Sequence, residues 1–209
     1  HYLSGNTKVI DAIAAALRHR QLTPVAIYVS SLKAIDVQQS LIQLCQPDSQ
    51  APDPQKPDSQ KPDSQAQPVE LIINTTSFAI ASLNPPSVST GHTPRSLWQQ
   101  LDVPVLQVIC SGSGREQWQS HPQGLTPRDI AMNVALPEVD GRIITRAVSF
   151  KAAQQQLSPQ QGSQTSSQKG SQKSLQTDVV LYEPEGDRIE FVADLVARWI
   201  RLRRTPASD

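Results

Sequence analysis

Apolar residues in this chain of 209 residues fall alternately into short continuous runs and into runs with helical spacing. The continuous runs are rich in β-branched residues, which is typical of strands buried on both faces of a sheet. Such a run predicts a strand over 25–29, and the largely apolar stretches 69–75 and 103–110 predict two more. An alternating run at 142–150 predicts a fourth strand, and the short run at 179–182 is either a last strand or an extended lead-in. The helically spaced runs predict helices over 9–21, 36–45 and 188–204, a short helix at 97–101, one around Trp118 and one that starts at Thr126.

The clearest helix start in the sequence is at Thr126. A threonine is a good N-cap, and Pro127 suits the first helical position because its missing N–H is not needed there. Asp129 can reach back to the cap as in a capping box. We expect Pro137 to end this helix, since a proline inside a helix removes a hydrogen bond.

Strands that alternate with helices predict the α/β class, with a mostly parallel sheet and flanking helices in Rossmann-like layers. Such a domain usually begins with a strand, whereas this chain begins with a helix. We therefore expect a fold that is incomplete at its N-terminus, and residues 1–209 to form a single α/β portion of a larger protein.

Two polar segments dilute the chain, which is only 37% hydrophobic. One is a Pro/Gln/Ser/Asp segment at 46–68, in which the pentapeptide KPDSQ at 56–60 is repeated at 61–65, and the other is a Gln/Ser/Lys segment at 154–177. Neither has enough apolar side chains to offset the entropy of ordering, so both predict flexible insertions. A binding role remains open for 46–68, although the sequence favours a repeat expansion without a function of its own.

Charge and cysteine usage narrow the classes of function. Lysine plus arginine and aspartate plus glutamate both number 19, so no positive field attracts nucleic acid. No apolar run is long enough to span a membrane, and the first residues do not resemble a signal peptide. Cys45 and Cys110 stand alone rather than in a disulfide framework, which favours a reducing, cytoplasmic compartment.

A glycine-containing turn follows the predicted strand 103–110 and precedes a short helix. Gly112, Ser113 and Gly114 lie where backbone amides and a helix N-terminus can bind an anion. The turn has neither the lysine of a P-loop nor the third glycine of a dinucleotide fingerprint. The sequence leaves an anion site and a plain tight turn open, and favours the tight turn.

Two carboxylates, Glu138 and Asp140, lie two residues apart and precede Gly141 and Arg142. Such a pair could move protons or bind a hard cation. In the alternative interpretation, Asp140 and Gly141 form a turn, and Glu138 or Asp140 pairs with Arg142 or a neighbouring backbone amide. The residue types alone favour the turn.

No metal site or catalytic triad has a local signature here. The four histidines, at positions 1, 19, 92 and 121, have neither His-x-x-x-His nor His-x-x-Cys spacing. The sequence therefore predicts no metal ligands and leaves the catalytic residues unassigned.

Several long segments together resemble one protein family. They are VPVLQVI at 103–109, Trp118, GLTPRDIAMNVALPEVDGRI at 124–143 and AVSFK at 147–151, with SGNT at 4–7 and YVSSLK at 28–33. These segments resemble the large subunit of cobaltochelatase, the CobN type, in a family that includes the H subunit of magnesium chelatase. The resemblance covers most of the chain outside the two insertions.

The resemblance implies ATP-dependent insertion of cobalt into a tetrapyrrole, a corrin precursor, on the way to cobalamin. In that family the large subunit binds the tetrapyrrole, and AAA+ type partner subunits hydrolyse ATP. Arg142 after PEVDG resembles the cobalt-type proteins more than the magnesium type. Glu138, Asp140 and Arg142 are the polar residues at the end of the longest matching segment, and the resemblance makes them the candidate functional surface.

The resemblance also has a gap. The family's His-Gly stretch followed by Glu-Trp-Leu-Pro-Gly does not occur in this chain. We therefore expect an internal segment that contacts the rest of its own large subunit and does not catalyse metal insertion alone. The alternatives are a magnesium-chelatase H-type subunit and a free-standing, non-catalytic α/β domain that binds a ligand or a partner.

Overall fold

The computed structural model describes residues 5–46, 68–80, 95–153 and 180–205. The predicted insertion at 154–177 lies outside these ranges, as does nearly all of the insertion at 46–68. Their predicted flexibility therefore stays a prediction.

Eleven regular elements and one π-helical stretch make up the described chain. The helices are α1 Lys8–His19, α2 Ile35–Cys45, α3 Leu97–Leu101, α4 Arg115–Ser120, α5 Pro127–Ile130, α6 Leu136–Val139 and α7 Gly186–Arg204, with a π-helical stretch Ala131–Ala135 between α5 and α6. The strands are β1 Ile72–Asn74, β2 Val105–Cys110, β3 Ile143–Ala153 and β4 Val180–Pro184. Three of the four predicted strands and all of the predicted helices are confirmed, with ends shifted by a few residues. Of the two alternatives for 179–182, the structure has the strand, β4.

The four strands form one mixed sheet in the order β1-β2-β3-β4. β1, β2 and β3 run parallel, with Ile72 opposite Val105 and Leu106 opposite Ile143. β4 runs antiparallel to β3, and this pairing continues to its last pair, Ala153 and Val180. The prediction of an α/β class is confirmed, and the sheet is mixed because of its antiparallel edge.

β2 is apolar apart from Gln107, because both of its faces are covered. Successive side chains of a strand point to opposite faces. Leu106 and Val108 pack on one side against α1 and α7, in a cluster completed by Val9, Ile13, Ala16, Leu17, Val148, Ile189, Val192, Ala193, Val196 and Ile200. On the other side Val105 packs with α2 and α3, and Ile109 packs with Phe150 and the half-buried Trp118.

The predicted strand at 25–29 is wrong. The segment is not part of the sheet, and Val25, Ile27 and Tyr28 are 69%, 46% and 52% exposed. β-branched residues favour a strand only where another strand pairs with it and packing covers it. Within the described sheet, β1 pairs with β2 alone, so this run has no strand beside it.

The helix that starts at Thr126 differs from the prediction at two points. Thr126 Oγ1 accepts a hydrogen bond from Asp129 N at 3.2 Å, which confirms the cap, but the Asp129 carboxylate does not reach back to form a capping box. Pro137 does not end the helix, because the π-helical stretch comes first and Pro137 falls in the first turn of α6. A proline is tolerated in a first turn, where its missing N–H leaves no bond unmade.

None of the helices in the described ranges is both long enough and apolar enough to cross a membrane.

Candidate functional site

Two buried polar clusters lie between the sheet and the helical segment 127–139. We call them the Arg142 cluster (Asn74, Gln107, Asp140 and Arg142) and the Asp129 cluster (Ser111, Ser113, Asp129 and Asn133). The segment 75–80, which follows β1, contacts both. Ligands of open α/β sheets bind at the carboxyl ends of the strands, which is where β1 leads into this segment.

Arg142 is the centre of the first cluster. Its Nη2 donates to Asp140 Oδ2 at 2.6 Å, and its Nη1 donates to Gln107 Oε1 at 2.9 Å. Asn74 Nδ2 donates to the same Gln107 oxygen at 2.7 Å. The side chains of Arg142 and Asp140 are 0% and 2% exposed, so the ion pair is fully desolvated.

This ion pair also holds the backbone of segment 75–80. Arg142 Nη2 donates to the carbonyl of Phe78 at 3.0 Å, and Asp140 Oδ2 accepts from the N–H of Ile80 at 2.7 Å. The guanidinium lies 5.2 Å from the centre of the Trp98 ring. Burial lowers the pKa of Arg142 from its usual value, and the charge of Asp140 opposes this shift. The Arg142–Asp140 pair therefore braces the chain where it leaves β1.

The structure brings Asp140 and Arg142 together but leaves Glu138 exposed on α6. The backbone carbonyl of Glu138 accepts from Gly141 N at 2.9 Å, and Gly141 has a φ of +76°, so these residues form the turn that the sequence favoured. Within the described ranges, no group of three histidine, cysteine or acidic residues could hold a metal ion. The geometry thus shows that Asp140 and Arg142 hold the backbone of segment 75–80 in place. A functional surface at Glu138, Asp140 and Arg142 stays a prediction.

The Asp129 cluster occupies the glycine-containing turn. The Asp129 carboxylate is buried and accepts from Ser111 Oγ at 2.7 Å and from Gly112 N at 2.9 Å. Ser113 Oγ and Asn133 Nδ2 lie farther away, both at 3.5 Å. A Cβ on Gly112 would come within 3.1 Å of an Asp129 oxygen. The turn therefore binds an anion supplied by the chain itself.

This arrangement bears on the anion site predicted at Gly112, Ser113 and Gly114. An external phosphate would have to compete with Asp129 for the Gly112 N–H. The N–H of Ser113 is also engaged, because it donates to Ser111 Oγ at 3.2 Å. The geometry agrees with the tight turn that the sequence favoured.

Segment 75–80 joins the two clusters through a strained residue. Ser77 Oγ donates to Asn133 Oδ1 at 2.6 Å, and Phe78 N donates to the carbonyl of Met132 at 3.0 Å. Met132 lies in the π-helical stretch. Phe78 has a φ of +72° and is 54% exposed, which is unusual for a bulky residue. The hydrogen bonds on both sides of Phe78 hold it in this conformation.

Sequence reasoning missed most of this network. Asn74 and Gln107 carried a signal, since each is a polar residue at the end of or inside an otherwise apolar run. Asn133 carried none, and Asp129 indicated only a capping box. Their partners are distant in the sequence, and only the packing of the helical segment on β2 brings them together.

Comparison of the sequence with known proteins identifies the family to which the chain belongs. The CobN/Magnesium Chelatase family matches residues 1–209. The chain is 34% identical to the aerobic cobaltochelatase subunit CobN of Sinorhizobium sp. over 99% of this chain, and 35% identical to the protein of the same name from Pseudomonas aeruginosa strain PAO1 over 100% of it. In both cases the match covers 13% of the relative, so the chain spans about an eighth of their length.

A solved structure has the same fold. The catalytic subunit of cobaltochelatase from Mycobacterium tuberculosis superposes with a TM-score of 0.64 and 25% sequence identity, over 96% of this chain and 14% of that one. The sequence match spans the whole chain and the fold agrees, and on these grounds the chain belongs to the CobN/Magnesium Chelatase family.

Proposed function

We propose that this chain is an internal segment of the large subunit of an ATP-dependent cobaltochelatase. The observation that carries the proposal is the family match over residues 1–209, supported by two cobaltochelatase relatives at 34% and 35% identity. Cobalt and a cobalt-free corrin precursor are then the substrates of the complete enzyme. ATP would be hydrolysed by AAA+ type partner subunits, and the product would lead to cobalamin.

The segment contributes structure to this enzyme rather than reacting groups. The side chains of Asp129, Asp140 and Arg142 are buried and are hydrogen-bonded to other groups of the chain. A buried carboxylate that already accepts two or more hydrogen bonds is poorly placed to move a substrate proton. These contacts support a part as a rigid wall or contact surface of the large subunit, with the chemistry located elsewhere in the complete protein.

Magnesium insertion is the second candidate, because the family name covers both chelatases. Both curated relatives described above are named for cobalt, as is the Mycobacterium tuberculosis structure. These names favour cobalt.

The test is metal insertion by the complete large subunit that contains this sequence, assayed with its ATPase partners. One arm receives Co²⁺ and a cobalt-free corrin precursor, the other Mg²⁺ and a porphyrin, each with and without ATP. We expect cobalt insertion that requires ATP. Magnesium insertion alone would establish the second candidate, and a folded subunit that binds neither tetrapyrrole, as followed by absorbance, would refute both.

A further inference from the structure

Helix α2 is apolar on two sides. Its inner side places Ile42 and the buried Cys45 against the cluster formed with α3. Its outer side carries Val37 and Leu44, and Leu44 is 52% exposed. A surface helix that faces one core needs an apolar stripe of only about 100°. The wider apolar surface of α2 indicates that a second surface covers it.

Segment 25–29 lies along the outer side of α2, and the two line an open cleft. The cleft has a volume of about 360 Å³. It is lined mainly by apolar side chains from the segment and the helix: Ile27, Tyr28, Val29, Val37, Leu41 and Leu44, with Ser30, Ser40 and Asp36. Asp36 is the one charged residue in this lining. We call segment 25–29 and the outer side of α2 the α2 face.

The α2 face continues the core of the protein. Leu41 lines the cleft and also packs against the inner cluster beside α3. At the rim, Val25 and Ile35 are 69% and 71% exposed. Monomeric proteins seldom expose a contiguous apolar patch of this kind without a function for it. An interface that resembles a core cut in half is typical of permanent association.

We propose that the α2 face is covered by another segment of the same large-subunit polypeptide, one that inserts a row of apolar side chains into the cleft. This inference rests on the proposed function, because it needs the rest of that subunit. The two curated relatives match almost all of this chain with only 13% of their own length, so most of their polypeptide lies outside the match and is available. A tethered segment has an effective concentration in the millimolar range, which favours it over a second copy of the chain.

The run at 25–29 supports this occupant. Its β-branched, uncharged composition predicts burial, whereas the described residues leave it largely exposed. An extended apolar segment beside an apolar helix can accept an added strand or an amphipathic helix. The discrepancy between sequence and structure is resolved if the burial comes from the remainder of the subunit.

Hydrogen exchange of the complete large subunit, followed by mass spectrometry, tests the proposal. The peptides of interest cover 24–30 and α2, and the variant is Leu44→Asp. The control is Gln43→Asp, which adds the same charge at an exposed neighbouring position on the polar side of α2. We expect protection of both peptides in the wild type and in Gln43→Asp, and exchange faster by roughly tenfold or more in Leu44→Asp.

Two results would overturn the proposal. Fast exchange of peptide 24–30 in the wild-type subunit would show that nothing covers the α2 face. Dimerisation that depends on protein concentration and is lost in Leu44→Asp would assign the face to a second copy. Cobalt insertion measured on the same preparation separates the two proposals. A subunit that inserts cobalt but exchanges fast at the α2 face refutes only the covering of that face. A subunit that does not insert cobalt but is protected at the α2 face refutes only the cobaltochelatase function.

Discussion

Replacing Asp140 by asparagine should destabilise the fold strongly. The change keeps the shape of the side chain and leaves an oxygen that can accept from Ile80 N, but it removes the negative charge 2.6 Å from Arg142 Nη2. The Arg142 side chain is 0% exposed, so its positive charge would then be buried without a counter-charge. Removing one partner of a buried ion pair typically costs about 3–5 kcal/mol, and we expect Asp140→Asn to lose about that much.

A double-mutant cycle separates the loss of the pair from the loss of the isolated residues. Arg142→Met removes the positive charge and leaves the Asp140 carboxylate buried, so it should also be costly. In Asp140→Asn/Arg142→Met both charges are gone, and the double variant should cost less than the sum of the two single variants by about 1–3 kcal/mol. Glu138→Gln is the matched control: it neutralises the exposed carboxylate of the same segment and should change stability by less than about 0.5 kcal/mol.

The measurement is urea denaturation of the 209-residue chain, followed by circular dichroism and by tryptophan fluorescence. A lower midpoint at constant slope reports a loss of stability rather than a change in the unfolded state. If Asp140→Asn unfolds at the same urea concentration as Glu138→Gln, the pair is not desolvated in solution. The bracing part that we assign to it would then be wrong.

Three further predictions use the same denaturation measurement. Gly141→Ala should lower the free energy of unfolding by about 1 kcal/mol, because Gly141 has a φ of +76° and open space around it. Gly124→Ala should lower it by about 1–3 kcal/mol more, because Gly124 has a φ of +72° and a Cβ there would lie 2.9 Å from an indole nitrogen. Equal losses in the two variants would contradict the close packing at Gly124. Phe78→Gly should be about 1 kcal/mol more stable than Phe78→Ala, since both lose the ring and only glycine relieves the positive φ; the reverse order would show that φ is not strained. The hydrogen bond from Arg204 lowers the pKa of Glu70 below its usual 4.5. The free energy of unfolding of the wild type should therefore exceed that of Glu70→Gln by at most about 1 kcal/mol near neutral pH, and this difference should disappear as the pH falls below about 4.5. A difference that does not depend on pH would refute the pairing.

Local rules predicted the elements whose stabilising contacts are close in sequence. The almost wholly apolar run of β2 indicated a strand covered on both faces, and Thr126 marked a helix start through its own cap. Pro137 misled the prediction, because a preceding π-helical stretch moves it into a new first turn. The run at 25–29 misled it too, because strand formation depends on a neighbouring strand that no local pattern reveals.

The candidate site was predictable only in part. Asp140 and Arg142 are two residues apart, and their pairing is one of the contacts that the favoured turn left open. The contact between Asp129 and Ser111 joins residues 18 apart through the packing of a helix on a strand. Spacing alone does not reveal such a contact, so the sequence left an anion site open beside the favoured tight turn, although the Asp129 carboxylate already occupies the turn.

The last pair of the β3–β4 ladder has a practical consequence. Ala153 and Val180 are direct partners, so the backbone leaves the sheet and returns to it about 5 Å away. Closing a flexible loop costs only about 0.6 kcal/mol more for each doubling of its length. Sequence placed between these two residues can therefore change in length and content at little cost to the sheet. A fluorescent or affinity tag inserted there would give a reporter at a fixed point on the molecule, next to the last β3–β4 pair.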